Sequence, residues 1–128
     1  MKALVIDEPW ISAILKGEKT WEMRKTACRQ HGRIALIRKG SGLVVGIAMV
    51  SGSGPALETP EAYAAAEPFH RIPPARQERA FADGWRKPWL LSEARPLPRP
   101  VRYRHPSGAV IWVNLSPDEA TQVQGQVP

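Results

Sequence analysis

The chain has 128 residues, 43% of them hydrophobic and 23% charged, with a net charge of +6 and an isoelectric point near 10.0. That length suits one domain with one modest core. No run of about 18 apolar residues is present to span a membrane, and the lone cysteine, Cys28, excludes an internal disulfide, so a cytoplasmic protein is expected.

In chain order, Lys2 to Ile6 reads as a short buried strand. Asp7-Glu8-Pro9 is a turn, with Pro9 suited to a helix start. Trp10, Ile11, Ile14 and Leu15 recur at helical spacing, and Gly17 is a natural cap after the last turn. Lys19 to Arg24 reads as a strand, 25–32 as a loop, and Arg33 to Arg38 as a strand closed by a turn at 39–42. Leu43 to Val50 is the most apolar stretch, and Gly46 within it predicts a bulge or bend. Ser51 to Pro55 is a loop. A helix capped by Thr59 starts at Pro60 and runs to Ala66, and a second one spans Pro74 to about Phe81. Pro88 to Glu93 is strand-like, and the three prolines of Arg95 to Val101 suit an edge. Ala109 to Leu115 is a last strand. The expected domain is 1–116, with 117–128 as a flexible tail. Strands and helices do not alternate, which argues against a doubly wound parallel sheet. A small, closed or nearly closed barrel with helices at one side fits better.

Charge is unevenly placed. Lys16 to Lys39 holds eight cations against Glu18 and Glu22, and Trp85 to His105 holds six against Glu93. Such a balance favours an anionic partner, nucleic acid before membrane. Within the first basic segment, Lys19-Thr-Trp-Glu-Met-Arg24 places Thr20, Glu22 and Arg24 on one face of a strand, opposite Trp21 and Met23. A solvated surface pair of Glu22 with Arg24 is one reading. The other is a cleft in which Lys19, Thr20, Glu22 and Arg24 converge to grip a phosphate or sugar and to meet a base edge. Of the five tryptophans, Trp10, Trp21 and Trp112 lie in apolar patterns and read as core. Trp85 and Trp89 flank Arg86-Lys87-Pro88, where cations and aromatic rings together suit stacking on bases. His31, His70 and His105 are too scattered with one Cys to form a metal signature. The glycines of Arg38 to Gly42 bridge two strands and lack the helix of a phosphate loop. No metal or other cofactor is expected.

The spacing Gly17-x-Lys19-x-x-Glu22-x-Arg24 after a short helix resembles the G-x-K-x-x-E-x-R signature of the ASCH domain family in the PUA-like superfamily. The opening KALVIDEPWISAILKGEKTWEMR, the strand RIALIRK and the closing WLLSEARPLPRPVRYRHPSGAVIWV extend the similarity over about Met1 to Val113. The resemblance implies an α+β, mainly β fold: a small PUA-like β-barrel of about six strands with two or three short helices. It also implies RNA, single-stranded DNA or a modified nucleoside as partner, in a cleft lined by Lys19, Glu22 and Arg24. Thr20, Arg86, Lys87 and Trp89 complete the expected ligand-binding set. A minority of similar proteins look like enzymes that deacetylate N4-acetylcytidine or cut RNA. The amidohydrolase pattern uses a Lys, a Thr two places before the Arg, and a downstream Glu. Here Lys19 is present, but Glu22 stands where the Thr is expected and Thr20 lies two positions earlier. A Lys19–Glu22 acid/base couple is the remaining catalytic candidate.

Overall fold

In chain order the computed structural model, which describes residues 1–128, has β1 (Lys2–Ile6), α1 (Trp10–Leu15), β2 (Trp21–Arg24), β3 (His31–Arg38) and β4 (Leu43–Ser53). It continues with α2 (Pro60–Ala65), α3 (Glu67–His70), α4 (Pro74–Ala82), β5 (Lys87–Arg102), β6 (Trp112–Asn114) and α5 (Pro117–Gln124). The strands form one mixed sheet in the order β2-β5-β4-β3-β1-β6. Only β1 and β3 are parallel, the other neighbours being antiparallel. The architecture is α+β and mainly β, as expected, but with five helices rather than two or three.

The sheet is buried on both faces, which is why its strands read as continuous apolar runs rather than polar–apolar alternations. Leu4, Ile6, Ile34 and Leu36 enter one core cluster with Ile11 and Ile14 of α1. Their neighbours of opposite parity, Ala3, Val5, Ala35 and Ile37, enter a second cluster with Val123 of α5. The sheet curls into a half-barrel around the first cluster. Trp89 of β5 and Trp112 of β6 stack with ring centroids 5.7 Å apart, although β4, β3 and β1 lie between their strands in the sheet order.

Bulges allow that curl. The register of β4 against β5 shifts between Val44 and Gly46, between Ile47 and Met49, and between Val50 and Ser53. Gly46 is required there for space: a Cβ would run into Leu15 Cδ2 and lie 2.7 Å from the carbonyl oxygen of Arg95. β4 also runs three residues beyond the expected end at Val50, so most of the loop placed at Ser51 to Pro55 is strand. The two stretches expected as a strand and a separate edge are one strand, β5. Its first residues, 87–90, lie between β2 and β4, whereas Pro96, Pro98 and Pro100 fall where β5 has only β4 as partner. The prolines therefore sit on an edge, where a missing N–H costs no ladder bond.

At 117–128 the structure differs from the expected flexible tail. Ser116 and Glu119 form a capping box, the Ser116 hydroxyl accepting from Glu119 N at 3.1 Å while the Glu119 carboxylate accepts from Ser116 N at 2.8 Å. The capped helix, α5, buries Val123 completely. A polar segment thus gains its order from a reciprocal cap and one apolar anchor. The helix α3 is likewise absent from the sequence reading. It is one turn long, and its sequence, EPFH, carries no periodicity to read.

Candidate ligand cavity

The chain leaves α1 through a Schellman turn. Gly17 takes φ +79°, Gly17 N–H donates to Ile14 O at 2.9 Å, and Glu18 N–H donates to Ala13 O at 3.0 Å. This reversal aims Lys19 inward. Three bonds then hold the junction against α3 and the residue after it: Thr20 N–H to Phe69 O (3.0 Å), Arg71 Nε to Glu18 O (2.9 Å) and Lys19 Nζ to His70 O (2.6 Å). His70 is itself fully buried. Ile72 N–H donates to its Nδ1 at 2.9 Å, so Nε2 carries the proton and donates to Tyr63 O at 2.7 Å. Burial holds the His70 imidazole below its ordinary pKa, in keeping with a neutral ring.

Glu22 ties the cluster together. One carboxylate oxygen faces Lys19 Nζ at 3.7 Å, and the other accepts from Arg24 Nε at 3.1 Å and Nη2 at 2.9 Å. Both Lys19 and Glu22 are buried, at 2% and 6% exposure. The solvated surface pair is therefore not what the sheet makes of these residues. Desolvation lowers the Lys19 pKa to about 8, against the attraction of Glu22, which acts to raise it. Arg24 also donates from Nη2 to Val5 O at 3.0 Å, and so bridges the open seam between β2 and β1. Its guanidinium lies 5.4 Å from the Trp89 ring centroid.

Above this cluster lies a cavity of about 840 Å3, lined by Lys19, Glu22 and Arg24 at one part and by Trp10, Trp85 and Ile111 at others. Further cations line it from Lys25, Lys39, Arg76 and Arg79, and acids from Asp7 and Asp83. The Lys19 ammonium is 5.0 Å from the Trp10 centroid, and Lys25 Nζ is 4.9 Å from that of Trp85. No group of three or more His, Cys, Asp or Glu side chains is placed to hold a metal ion.

No family model matches the sequence, and no curated protein matches it. Solved structures do. An ASCH protein from Zymomonas mobilis superposes with a TM-score of 0.67 at 15% identity, covering 97% of this chain and 93% of that one. Two single-residue variants of it superpose with TM-scores of 0.66 at 17% identity and 0.70 at 16%, each covering 97% of this chain and 94% and 96% of theirs. The fold is that of an ASCH domain. In this ASCH-domain fold the spacing Gly17-x-Lys19-x-x-Glu22-x-Arg24 makes the helix-to-strand turn and one wall of the cavity.

The remaining expected residues lie elsewhere. Thr20 is engaged through its backbone, which also accepts from Leu91 N at 2.8 Å, and it does not line the cavity. Trp89 is in the core: it is 2% exposed, and its indole N–H donates to Thr26 O at 2.7 Å. Trp112, stacked on it at 5.7 Å, and the Arg24 guanidinium, at 5.4 Å, cover its ring. Arg86 packs its guanidinium 4.5 Å from the Phe81 centroid, and Lys87 is exposed outside the cavity. The other basic residues of Trp85 to His105 do not line it either, so the two basic segments do not meet there. Trp10, read as core from its spacing, is a cavity wall. Sequence reasoning misses Arg76 and Arg79. They stand three apart on α4, on one helix face, and that spacing is the available signal.

Proposed function

We propose that this ASCH-domain chain is a nucleic-acid-binding module that takes RNA, single-stranded DNA or a modified nucleoside into the cavity. The observation that carries the reading is the buried Lys19–Glu22–Arg24 cluster opening into a cavity of about 840 Å3 whose other walls include Trp10 and Trp85. A carboxylate held between two cations offers an acceptor and donors to a base edge. The aromatic walls suit the flat face of a base. The six cations of the lining outnumber its three acids, making a basic cleft suited to phosphate. A cytoplasmic setting accompanies this reading, given the lone cysteine. No helix of the structure is long and apolar enough to cross a membrane.

Titration of the protein with fluorescent single-stranded RNA and DNA at low salt tests the proposal. Binding that weakens steeply as salt rises is expected, because phosphate contacts release counterions. Absence of binding at low salt refutes it.

Lys19 supports a second reading. Its pKa of about 8 leaves on the order of a tenth of the amine unprotonated at neutral pH, beside the Glu22 carboxylate. A metal-independent hydrolase acting on N4-acetylcytidine, or on RNA, uses such a pair as base and acid. For the acetylated nucleoside, water adds to the acetyl carbon, the C–N bond breaks, and acetate and the free amine form. Incubation with N4-acetylcytidine and with mixed RNA separates the readings. Product that disappears with Lys19→Ala assigns catalysis, whereas binding without turnover assigns the reader.

A further inference from the structure

The four large apolar side chains most exposed on this protein are Phe69, Trp85, Val110 and Ile111. Phe69 has a partner, stacking on Trp21 with centroids 4.7 Å apart. The other three all line the cavity. Val110 is the extreme case at 75% exposure, in the loop that joins β5 to β6.

That loop is braced by its own bonds. His105 Nδ1 pairs with the Tyr103 hydroxyl at 2.9 Å and its Nε2 pairs with Ala109 O at 2.8 Å. Arg104 N–H donates to the Glu119 carboxylate at 2.7 Å, and Ala109 N–H donates to Pro106 O at 3.2 Å. Just past the tip, Ile111 O accepts from Val5 N at 2.9 Å. Val110 is thus held outward between two anchored ends, at the mouth of a cavity whose lining also carries Lys39 and, from α4, Arg76 and Arg79.

An apolar side chain exposed to water beside a cavity of this size has a defined use. A base can enter the cavity only after it leaves its stack, and the stack then has a gap. Proteins that extract a base commonly fill such a gap with an apolar wedge. We infer that Val110, backed by Ile111, is a wedge that enters the base stack beside the nucleotide taken into the cavity, and that the preferred ligand is a helical nucleic acid carrying an unpaired nucleotide. The inference rests on the cavity being a nucleic-acid site and adds to it the helical context of the bound nucleotide. Charge agrees, since the exposed Lys39 and Arg76 are available to flanking phosphates, while Arg79 is paired with Asp83 at 3.0 Å. An unpaired nucleotide is favoured because no base pair has to be broken to extract it.

The test uses the full chain and three ligands of equal length, each made as RNA and as DNA: a single strand, a perfect duplex, and a duplex with one bulged nucleotide. The bulged position carries 2-aminopurine, whose emission reports unstacking. The bulged duplex is expected to bind about tenfold more tightly than the perfect one, with a change in emission at the bulge. Val110→Ser, at an exposed position, is expected to remove about that tenfold preference, weakening the bulged duplex far more than the single strand or the perfect duplex. Equal binding of bulged and perfect duplexes, or equal weakening of all ligands by Val110→Ser, overturns the wedge and leaves the cavity proposal standing. No binding to any of the ligands overturns both. Binding of the protein to vesicles of anionic phospholipid that is lost in Val110→Ser, with nucleic-acid binding unchanged, assigns the tip to a membrane surface and also overturns the wedge.

Discussion

Lys19 shows what one residue can carry in this protein. It is an ammonium taken almost entirely out of water, held by a carbonyl at 2.6 Å and a carboxylate at 3.7 Å. In the folded chain it loses its proton near pH 8, against an ordinary value of 10.5. Below pH 8 both states are protonated and the cost of burying the charge is fully felt. Between about pH 8 and 10.5 the unfolded chain keeps a proton that the folded chain has released, so this group makes stability rise with pH by on the order of 2–4 kcal/mol. Cys28 and Tyr63, whose values burial raises, act in the opposite direction over and above the same range. The check is therefore a comparison. The urea stability of the native protein minus that of Lys19→Met is expected to grow from pH 7.5 to 10, and a flat difference disproves the shift. Glu22 and Arg24 give an opposed pair of outcomes. A surface ion pair contributes at most about 1 kcal/mol, but breaking a buried one costs about 3 kcal/mol or more. Glu22→Gln is expected to lower stability on the latter scale. It is also expected to reduce discrimination among bases by about 1–3 kcal/mol. Arg24→Ala is expected to weaken binding to every sequence alike. Equal loss across ligands for both variants means that Glu22 only supports Arg24.

At the scale of elements, small residues and caps decide where strands bend and helices begin. Gly46→Ala places a methyl group against Leu15 and against the Arg95 carbonyl, which is backbone and gives little. A loss of about 1–3 kcal/mol is expected from such overpacking, read as a lower urea midpoint. Ser116→Ala removes the acceptor for Glu119 N and is expected to cost about 1 kcal/mol. If the last residues were frayed, the same substitution would change nothing. The two caps contrast in legibility. Thr59 followed by Pro60 announces α2, and Thr59 does accept from Ala62 N at 3.0 Å. Ser116, Pro117 and Glu119 carry an equally readable box, but the few apolar residues after it hide the helix, whose stability comes from the core that Val123 reaches.

At the scale of the molecule, the sheet is a half-barrel whose seam is crossed by Arg24, and the cavity opens at that seam. Strands β1 and β2, α1, the face of α4 and loop residues beside β3, β5 and β6 all contribute to it. Its long-range field is a property of the assembly. Arg76→Ala with Arg79→Ala is expected to lower the slope of log K against log salt by about one for each phosphate left without its cation, while Arg99→Ala with Arg102→Ala leaves it unchanged. Titrations at four salt concentrations check this. Equal effects from both pairs mean that phosphate tracks over the whole surface rather than the cavity mouth.

What depends on neighbours along the chain is legible in the order of the residues. Helical spacing in α1, the Gly17 turn and the parity that sets Glu22 and Arg24 opposite Met23 all follow from backbone geometry and side-chain alternation. Local signals also carried the resemblance to ASCH domains, and with it the mainly β fold. The tertiary structure alone decided which faces are buried. Local pattern reads Trp10 as core and Trp89 as a stacking surface, yet β5 lies between β2 and β4 and Trp89 is buried, while α1 lies at the seam and leaves Trp10 open to the cavity. Arg76, Arg79 and Val110 reach the same space from distant parts of the chain. Burial and convergence depend on which elements pack together, and local periodicity carries no information about that.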